Sequence, residues 1–279
     1  MTGASGWLGR TACELLAAAG VPTYGYASFA REGIFDLREI GPPPPGSGPV
    51  LLLHLACLTK DRLDALGFEQ YVATNVAISS RMLDWIAEFR PDGIFIASSG
   101  AAAADRPIED DPYGALKRLD ELAFGAAARA AAARLRIARV YNVAGRHITK
   151  PELYALGDLV QSVLRDEPLR IRASGDVLRS YVAVDDLIEL VLAELIAPDR
   201  PEQLLFDTGS GTVEIGDLAQ AVRVALGRSD LPIERSRDPD ATTSDYRGDG
   251  TVMSNLLEYH GITPTSLEDQ IRQTAESLK

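Results

Sequence analysis

Thr2-Gly3-Ala4-Ser5-Gly6-Trp7-Leu8-Gly9, running directly into an apolar stretch over Leu8–Ala19, is the part of this 279-residue chain that decides its fold. Glycines at 3, 6 and 9 suit a tight turn, a close approach of backbone to a pyrophosphate, and a helix packed hard against a strand. Gly3, Ser5, Gly6, Trp7, Leu8 and Gly9 are therefore the first candidate contacts for a dinucleotide. Such a loop follows a strand, yet only Met1 and Thr2 precede Gly3. The expectation is a sheet whose first strand, about six residues long, lies upstream of the sequence as given. The alternative is a chain with a rebuilt cofactor site.

Outward from this loop, short apolar runs alternate with longer helical stretches up to about residue 145. Val50–Ala56 (VLLLHLA), Ile94–Ser98 (IFIAS) and Arg136–Tyr141 (RIARVY) carry few charges and read as buried strands. Leu8–Ala19, Tyr71–Phe89 and Tyr113–Arg134 read as the helices between them. That alternation predicts an α/β fold, a doubly wound parallel sheet covered on both faces. Gly41–Pro49 (GPPPPGSGP) is a stiff connector, because proline lacks the amide donor that a helix or inner strand needs. Beyond residue 145 the pattern loosens, with helix signals at Asp158–Leu164, Val184–Ile196, Ile215–Leu226 and Leu267–Leu278.

Composition removes several classes of function. A formal charge of −12 opposes broad nucleic-acid binding, which runs on clustered Lys and Arg. It also means that an anionic ligand must be held by local donors such as helix N-termini or single arginines. No apolar run reaches the ~18 residues that span a bilayer, and the opening stretch lacks the basic-then-apolar pattern of a signal peptide. Cys13 and Cys57 both sit in apolar segments, which fits buried thiols in a reducing cytoplasm. His147 and His260 are isolated, and no group has the spacing of metal ligands.

Pro112-Tyr113-Gly114-Ala115-Leu116-Lys117 carries the chemistry. Proline starts a helix well, and four residues of spacing put Tyr113 and Lys117 on one face of it. A tyrosine with pKa near ~10 is a poor base at neutral pH. A neighbouring ammonium stabilises the phenolate, which makes proton exchange with an alcohol or ketone feasible. A serine at the end of the preceding strand can hold the same substrate oxygen; Ser98 and Ser99 both lie there, and Ser99 is the candidate catalyst.

These residues resemble the extended short-chain dehydrogenase/reductases, the NAD-dependent epimerase/dehydratase group that modifies nucleotide sugars. TGASGWLG is similar to the family's cofactor loop, HLA at His54–Ala56 to its fourth-strand end, and SSG with PYGALK to its catalytic serine and Tyr-x-x-x-Lys. Asn75 falls in a helix resembling the family's N-V-x-G-T-x-x-L stretch, although Ile78, Ser79 and Met82 replace three of its residues. RVYNVAG at Arg139–Gly145 and GDVLRSYVAVDDL at Gly175–Leu187 resemble the motifs that bound the substrate domain. The resemblance implies a dinucleotide domain over 1–145 with a return segment at about 175–200, and a smaller C-terminal α/β substrate domain over 146–174 and 201–279. It also implies cofactor contacts at Leu55, Ala56, Asn75, Tyr113 and Lys117, and at Asp36 and Leu37, where Asp36 could equally cap a helix. By the same resemblance Ser98 and Asn142 lie near the substrate, Arg179 neutralises its phosphate, and two copies form a homodimer. Arg179 could instead pair with Asp185 or Asp186, and Arg235, Arg237 and Arg247 are further candidates for phosphate or uracil-side contacts.

NAD-specific sites carry an acid at the end of the second strand. Pro22–Ala27 is followed by Ser28, Phe29, Ala30 and Arg31, so Ser28 and Arg31 are read as a 2′-phosphate site and NADP is preferred over NAD. The family's dehydratases carry an acidic pair after the catalytic serine, where this chain has Gly100 and Ala101. The expected activity is NADPH-dependent reduction of a 4-keto nucleotide sugar with Tyr113 as proton donor. A 4-epimerase with bound NAD is the alternative, and a non-catalytic cofactor-binding or scaffold protein is the third.

Overall fold

A computed structural model describes residues 1–43, 46, 48–238 and 240–279. Pro44, Pro45 and Ser47 of the proline-rich connector lie outside the described residues. The chain divides into two compact units, Met1–Val140 with Glu189–Phe206, and Tyr141–Ile188 with Asp207–Lys279.

The first unit begins with helix α1 (Trp7–Ala18) and the strands β1 (Gly25–Ala27), β2 (Ile34–Asp36) and β3 (Leu51–His54). There follow α2 (Leu63–Leu66), α3 (Phe68–Phe89), β4 (Gly93–Ser99), α4 (Pro112–Ala131) and β5 (Arg134–Val140). β1 and β2 pair in parallel, as do β3, β4 and β5 in turn. Thr2 joins the two sets by parallel bridges to Tyr26 of β1 and His54 of β3. Its amide donates to Leu53 at 2.9 Å, and the Tyr26 amide donates to Met1 at 2.9 Å. Met1 and Thr2 thus take the central place in the sheet. From there the chain winds out through β1 and β2, then returns to the other side at β3, so strand order reverses beside Gly3. Crevices at such a reversal are where doubly wound sheets bind ligands.

Strand residues Leu52, Ile94, Ile96, Leu135 and Ile137 form the core with Met82, Trp85 and Ile86 of α3 and Phe124 and Ala128 of α4. Leu52, Ile94, Met82, Ile86, Phe124 and Leu135 are all 2% exposed or less, and each such side chain is worth about 1.5–3 kcal/mol of burial. Local signals set the helix ends: Asp111 caps α4, accepting from the Gly114 amide at 3.2 Å, with Pro112 in the first turn.

In the second unit come β6 (Asn142–Ala144), α5 (Ala155–Leu164), β7 (Leu169–Ile171), β8 (Val177–Arg179) and β9 (Tyr181–Ala183). Helix α6 (Val184–Ile196) runs through the division, and β10 (Gln203–Asp207) neighbours β5 in the first unit's sheet. The rest is β11 (Val213–Glu214), α7 (Ile215–Ala225), β12 (Ile233–Arg235), β13 (Ser244–Tyr246), α8 (Thr251–Tyr259) and α9 (Leu267–Ser277). Leu159 and Val163 of α5, Leu218 and Val222 of α7, and Ile271 of α9 share one core. The return segment is therefore Glu189–Phe206, later than the 175–200 expected. The reason is pairing: β8 bonds to β11 and β13, and β9 to β6, all strands of the second unit.

Candidate active site

Three segments of the first unit build the candidate cofactor cradle. Gly3 has φ +71°, and a Cβ there would lie 2.7 Å from the Leu55 carbonyl carbon and 2.8 Å from the Ala56 amide. A Cβ on Gly9 would stand 2.1 Å from the Gly3 oxygen. Bare backbone at both places lets α1 begin against the loop after β3. Gly6 occupies the N-cap of α1 with no side-chain cap and no acid in the first turn, leaving the helix amides to an anionic ligand. Trp7 is buried, while Ser5 and Leu8 are half-buried beside it. Leu55 and Ala56 are held in turn by Thr2, whose hydroxyl accepts from their amides at 3.2 and 3.3 Å.

That hydroxyl also lies 2.7 Å from Nδ1 of His54, a residue 5% exposed and stacked on Phe124. Burial, then the Lys117 charge, pushes the His54 imidazole down to about 3. It is a neutral strut at the strand end. Asn75 clamps the same loop one step further on: its Oδ1 accepts from the Leu58 amide at 2.8 Å, and Tyr71 donates its hydroxyl to the Leu58 carbonyl at 2.9 Å. Burial pushes the Tyr71 phenol well up.

Tyr113 stands half-buried in the first turn of α4. Lys117, 7% exposed, donates Nζ to the Ala97 carbonyl at 2.7 Å and lies 5.9 Å from the centroid of the Tyr113 ring. Ser99 is 5% exposed at the end of β4, and its Oγ accepts from the Ala101 amide at 3.3 Å. α4 comes close to that turn, for a Cβ on Gly114 would sit 2.6 Å from the Ala101 oxygen. A pocket of about 250 Å³ runs beside the pair, lined by Tyr113, Lys117, Asn75, Cys57, Ser79 and Asp120. Burial pushes the Asp120 carboxyl up. Cys13 and Cys57 are half-buried free thiols, less enclosed than expected.

Glu121 was missed by sequence reasoning, although it lies four residues after Lys117 on the same helix face. It is 8% exposed, accepts from Ser98 Oγ at 2.6 Å, and receives Arg139 through Nε at 2.8 Å and NH2 at 2.7 Å. Ser98 is thus committed inside the first unit.

Asn142, Arg179 and Arg237 belong to the second unit. Asn142 donates to the carbonyls of Ser180 (2.9 Å) and Tyr246 (3.2 Å). Arg179 donates to the Leu178 and Ser244 carbonyls, whereas Asp185 pairs with Arg146 and Asp186 accepts from Thr265. Arg237 pairs with Asp176 at 2.5 Å, Arg235 with Glu214, and Arg247 with Asp245. Each candidate phosphate contact already has a partner within its unit. Among the described residues no helix is long and apolar enough to cross a membrane, and no group of three or more His, Cys, Asp or Glu could hold a metal ion.

At the other end of the cradle, Ser28, Phe29, Ala30 and Arg31 form an exposed turn, closed by reciprocal backbone bonds between Arg31 and Ile34. A carboxylate does stand at this sheet edge, supplied by β2: Asp36 is in register with Ala27. Asp36 accepts from the Arg38 amide at 2.8 Å, capping a short turn over Leu37–Glu39, with Leu37 buried. Hydrogen bonds from the Arg38 side chain and amide hold its carboxyl at about 2.

A profile of the NAD dependent epimerase/dehydratase family matches residues 1–209. A probable UDP-glucuronate 4-epimerase of Rhizobium meliloti (strain 1021) is 25% identical over 214 residues, 64% of this chain and 61% of that protein. The match therefore spans less than two thirds of the curated relative's length. The Thermus thermophilus UDP-glucose 4-epimerase, solved with NAD, aligns with a TM-score of 0.73 and 20% identity over 99% of this chain and 97% of its own. The Bacillus cereus UDP-glucuronic acid 4-epimerase, also solved with NAD, aligns over the same shares at the same score and identity. The cofactor named in both structures is NAD, which corrects the preference for NADP read from Ser28 and Arg31. The NADPH-dependent ketoreductase built on that preference falls with it. The physical reason lies at the sheet edge: the acid that the residues after β1 lack is supplied by Asp36 of β2, and Arg31 sits on an open turn.

Proposed function

The chain belongs to the NAD dependent epimerase/dehydratase family, and from that premise we propose that it is a nucleotide-sugar 4-epimerase working with NAD held through the catalytic cycle. The observation that carries this reading is the Tyr113 and Lys117 pair on the first two turns of α4, with Lys117 anchored to Ala97 at 2.7 Å and Ser99 ending the same strand. A binding module needs no acid/base set.

The residues fit the cofactor: the glycine cradle leaves room for a pyrophosphate where a Cβ at Gly3 or Gly9 would strike backbone. NAD held in this cradle would supply a reversible hydride acceptor for the sugar carbon. Tyr113 removes the proton from the sugar hydroxyl and later returns it. Lys117 stabilises the phenolate that takes the proton and is left again when the proton returns, and Ser99 holds the same oxygen by hydrogen bonding. Leu55, Ala56 and Asn75 wall the dinucleotide, and Asn142, Arg179 and Arg237 are the proposed substrate side. Use of Arg179 or Arg237 requires exchange of its present partner for a phosphate.

Val76 and, more strongly, Leu119 and Leu122 are exposed on α3 and α4, which supports a homodimer through these helices. Two free thiols and an acidic surface support a cytoplasmic protein that binds no nucleic acid. The test is incubation of the purified chain with UDP-glucose and UDP-glucuronic acid without added reductant. Appearance of the 4-epimer by NMR is expected, along with NAD in the denatured supernatant. Absence of both overturns the reading.

A further inference from the structure

Tyr113, Lys117 and Glu121 fall at every fourth position of α4, so they share one face of the helix. Two of them reach β4 at successive residues: Lys117 bonds to Ala97, and Glu121 bonds to Ser98, the residue before Ser99. Ser98 and Arg139 are direct partners across β4 and β5. Glu121 spans that pair, one carboxylate oxygen taking both Ser98 and Arg139 Nε and the other taking Arg139 NH2. A carboxylate buried this deeply is costly unless every bond is made, and here the bonds converge on the strand end that carries Ser99.

We propose that Glu121 is a positioning residue for the acid/base set. Through Ser98 it fixes the end of β4, and with it the Ser99 hydroxyl, relative to the helix bearing Tyr113 and Lys117; Arg139 holds the carboxylate in register. Its bonds run to Ser98 and Arg139, and the proposed role acts through them. The inference rests on the epimerase reading for its kinetic effect, but not for its geometry.

The experiment compares Glu121→Gln, Ser98→Ala and the double variant, each assayed well below its own melting temperature. A slight misplacement of reacting groups costs about 10²-fold in rate, so kcat should fall about tenfold or more in both single variants while KM and NAD affinity stay within about twofold. Because both act through one contact, the double variant should be little worse than Glu121→Gln alone. Amide exchange supplies a readout free of any sugar: the Ala101 amide, held by Ser99 Oγ, should exchange about tenfold faster in each variant, with α4 unchanged. A lower melting temperature with unaltered kcat and unaltered Ala101 exchange reduces Glu121 to a structural ion pair and overturns the proposal. If the parent protein epimerises nothing, the epimerase reading fails and the Ala101 exchange alone decides. Ser98→Ala keeps the test alive should Glu121→Gln not fold.

Discussion

Lys117 carries its ammonium 5.9 Å from the centre of the Tyr113 ring while spending one proton on the Ala97 carbonyl at 2.7 Å. The backbone bond fixes the lysine, and its charge lies beside the ring whose phenolate it would stabilise. Tyr113→Phe removes the proton carrier and leaves the anchor in place. Turnover should fall by about 10²- to 10⁴-fold, the usual worth of a positioned acid/base group, with NAD affinity unchanged by titration calorimetry. Retained turnover would remove Tyr113 from the mechanism.

His54 gives the fold a defined response to acid. Its imidazole is pushed from 6.5 down to about 3 by burial and then by Lys117. Between those values the unfolded chain binds a proton that the folded chain refuses, so stability falls as pH drops from about 6.5 towards 3. The slope is about 1.4 kcal/mol per pH unit for one proton, and above 6.5 the contribution is full and flat. Urea unfolding of the protein and of His54→Gln at pH 7 and pH 5 checks this. The variant should show a shallower acid loss by about one proton's slope, and parallel slopes would refute it.

How much of this was legible in the residues differs by element. α4 was plain, since Pro112 signals its start and the four-residue step from Tyr113 to Lys117 shows its face. β3, β4 and β5 were also readable, because strands buried on both faces are continuous apolar runs. The short strands of the second unit were not, for β6, β8 and β9 are only three residues each and their partners lie far off in sequence. Cofactor preference is not legible in the residues after β1, because Ser28, Phe29, Ala30 and Arg31 carry no acid. Asp36 comes from the neighbouring strand, and only the register of β1 with β2 brings it to Ala27. Glu121 shows the same limit: its spacing from Lys117 is local, but its bonds to Ser98 and Arg139 depend on how β4 and β5 pair.

Arg136 and Glu194 form an ion pair with neither side chain exposed, Nε to Oε2 at 3.0 Å, and Arg200 joins Glu194 at 2.8 Å. Arg136 also donates to the carbonyls of Leu135 and Pro201, so the pair ties β5 to the return segment. Glu194→Ala leaves the Arg136 charge buried and uncompensated, and should cost about 3–5 kcal/mol in chemical denaturation. Replacing both residues with methionine removes the stranded charge, and should cost less than the single change. A single variant within about 1 kcal/mol of the parent, roughly a surface substitution, would show that water reaches the pair.

Gly9 belongs to the cofactor cradle and makes no contact with the acid/base set, so a change there tests the cradle alone. A Cβ there meets the Gly3 oxygen at 2.1 Å and the Ala4 Cα at 2.7 Å, both backbone, so no rotamer change relieves the clash and the loop must move off α1. Gly9→Ala should therefore weaken NAD binding by a factor of about ten or more, about 1.4 kcal/mol, while Tyr113 and Lys117 keep their places on α4. Gly211→Ala is the control, since a Cβ at Gly211 meets nothing within 4 Å. Calorimetric titration with NAD reads both variants. Equal affinities would mean that the dinucleotide does not lie along the Gly3–Gly9 loop, whatever the fate of the catalytic assignment.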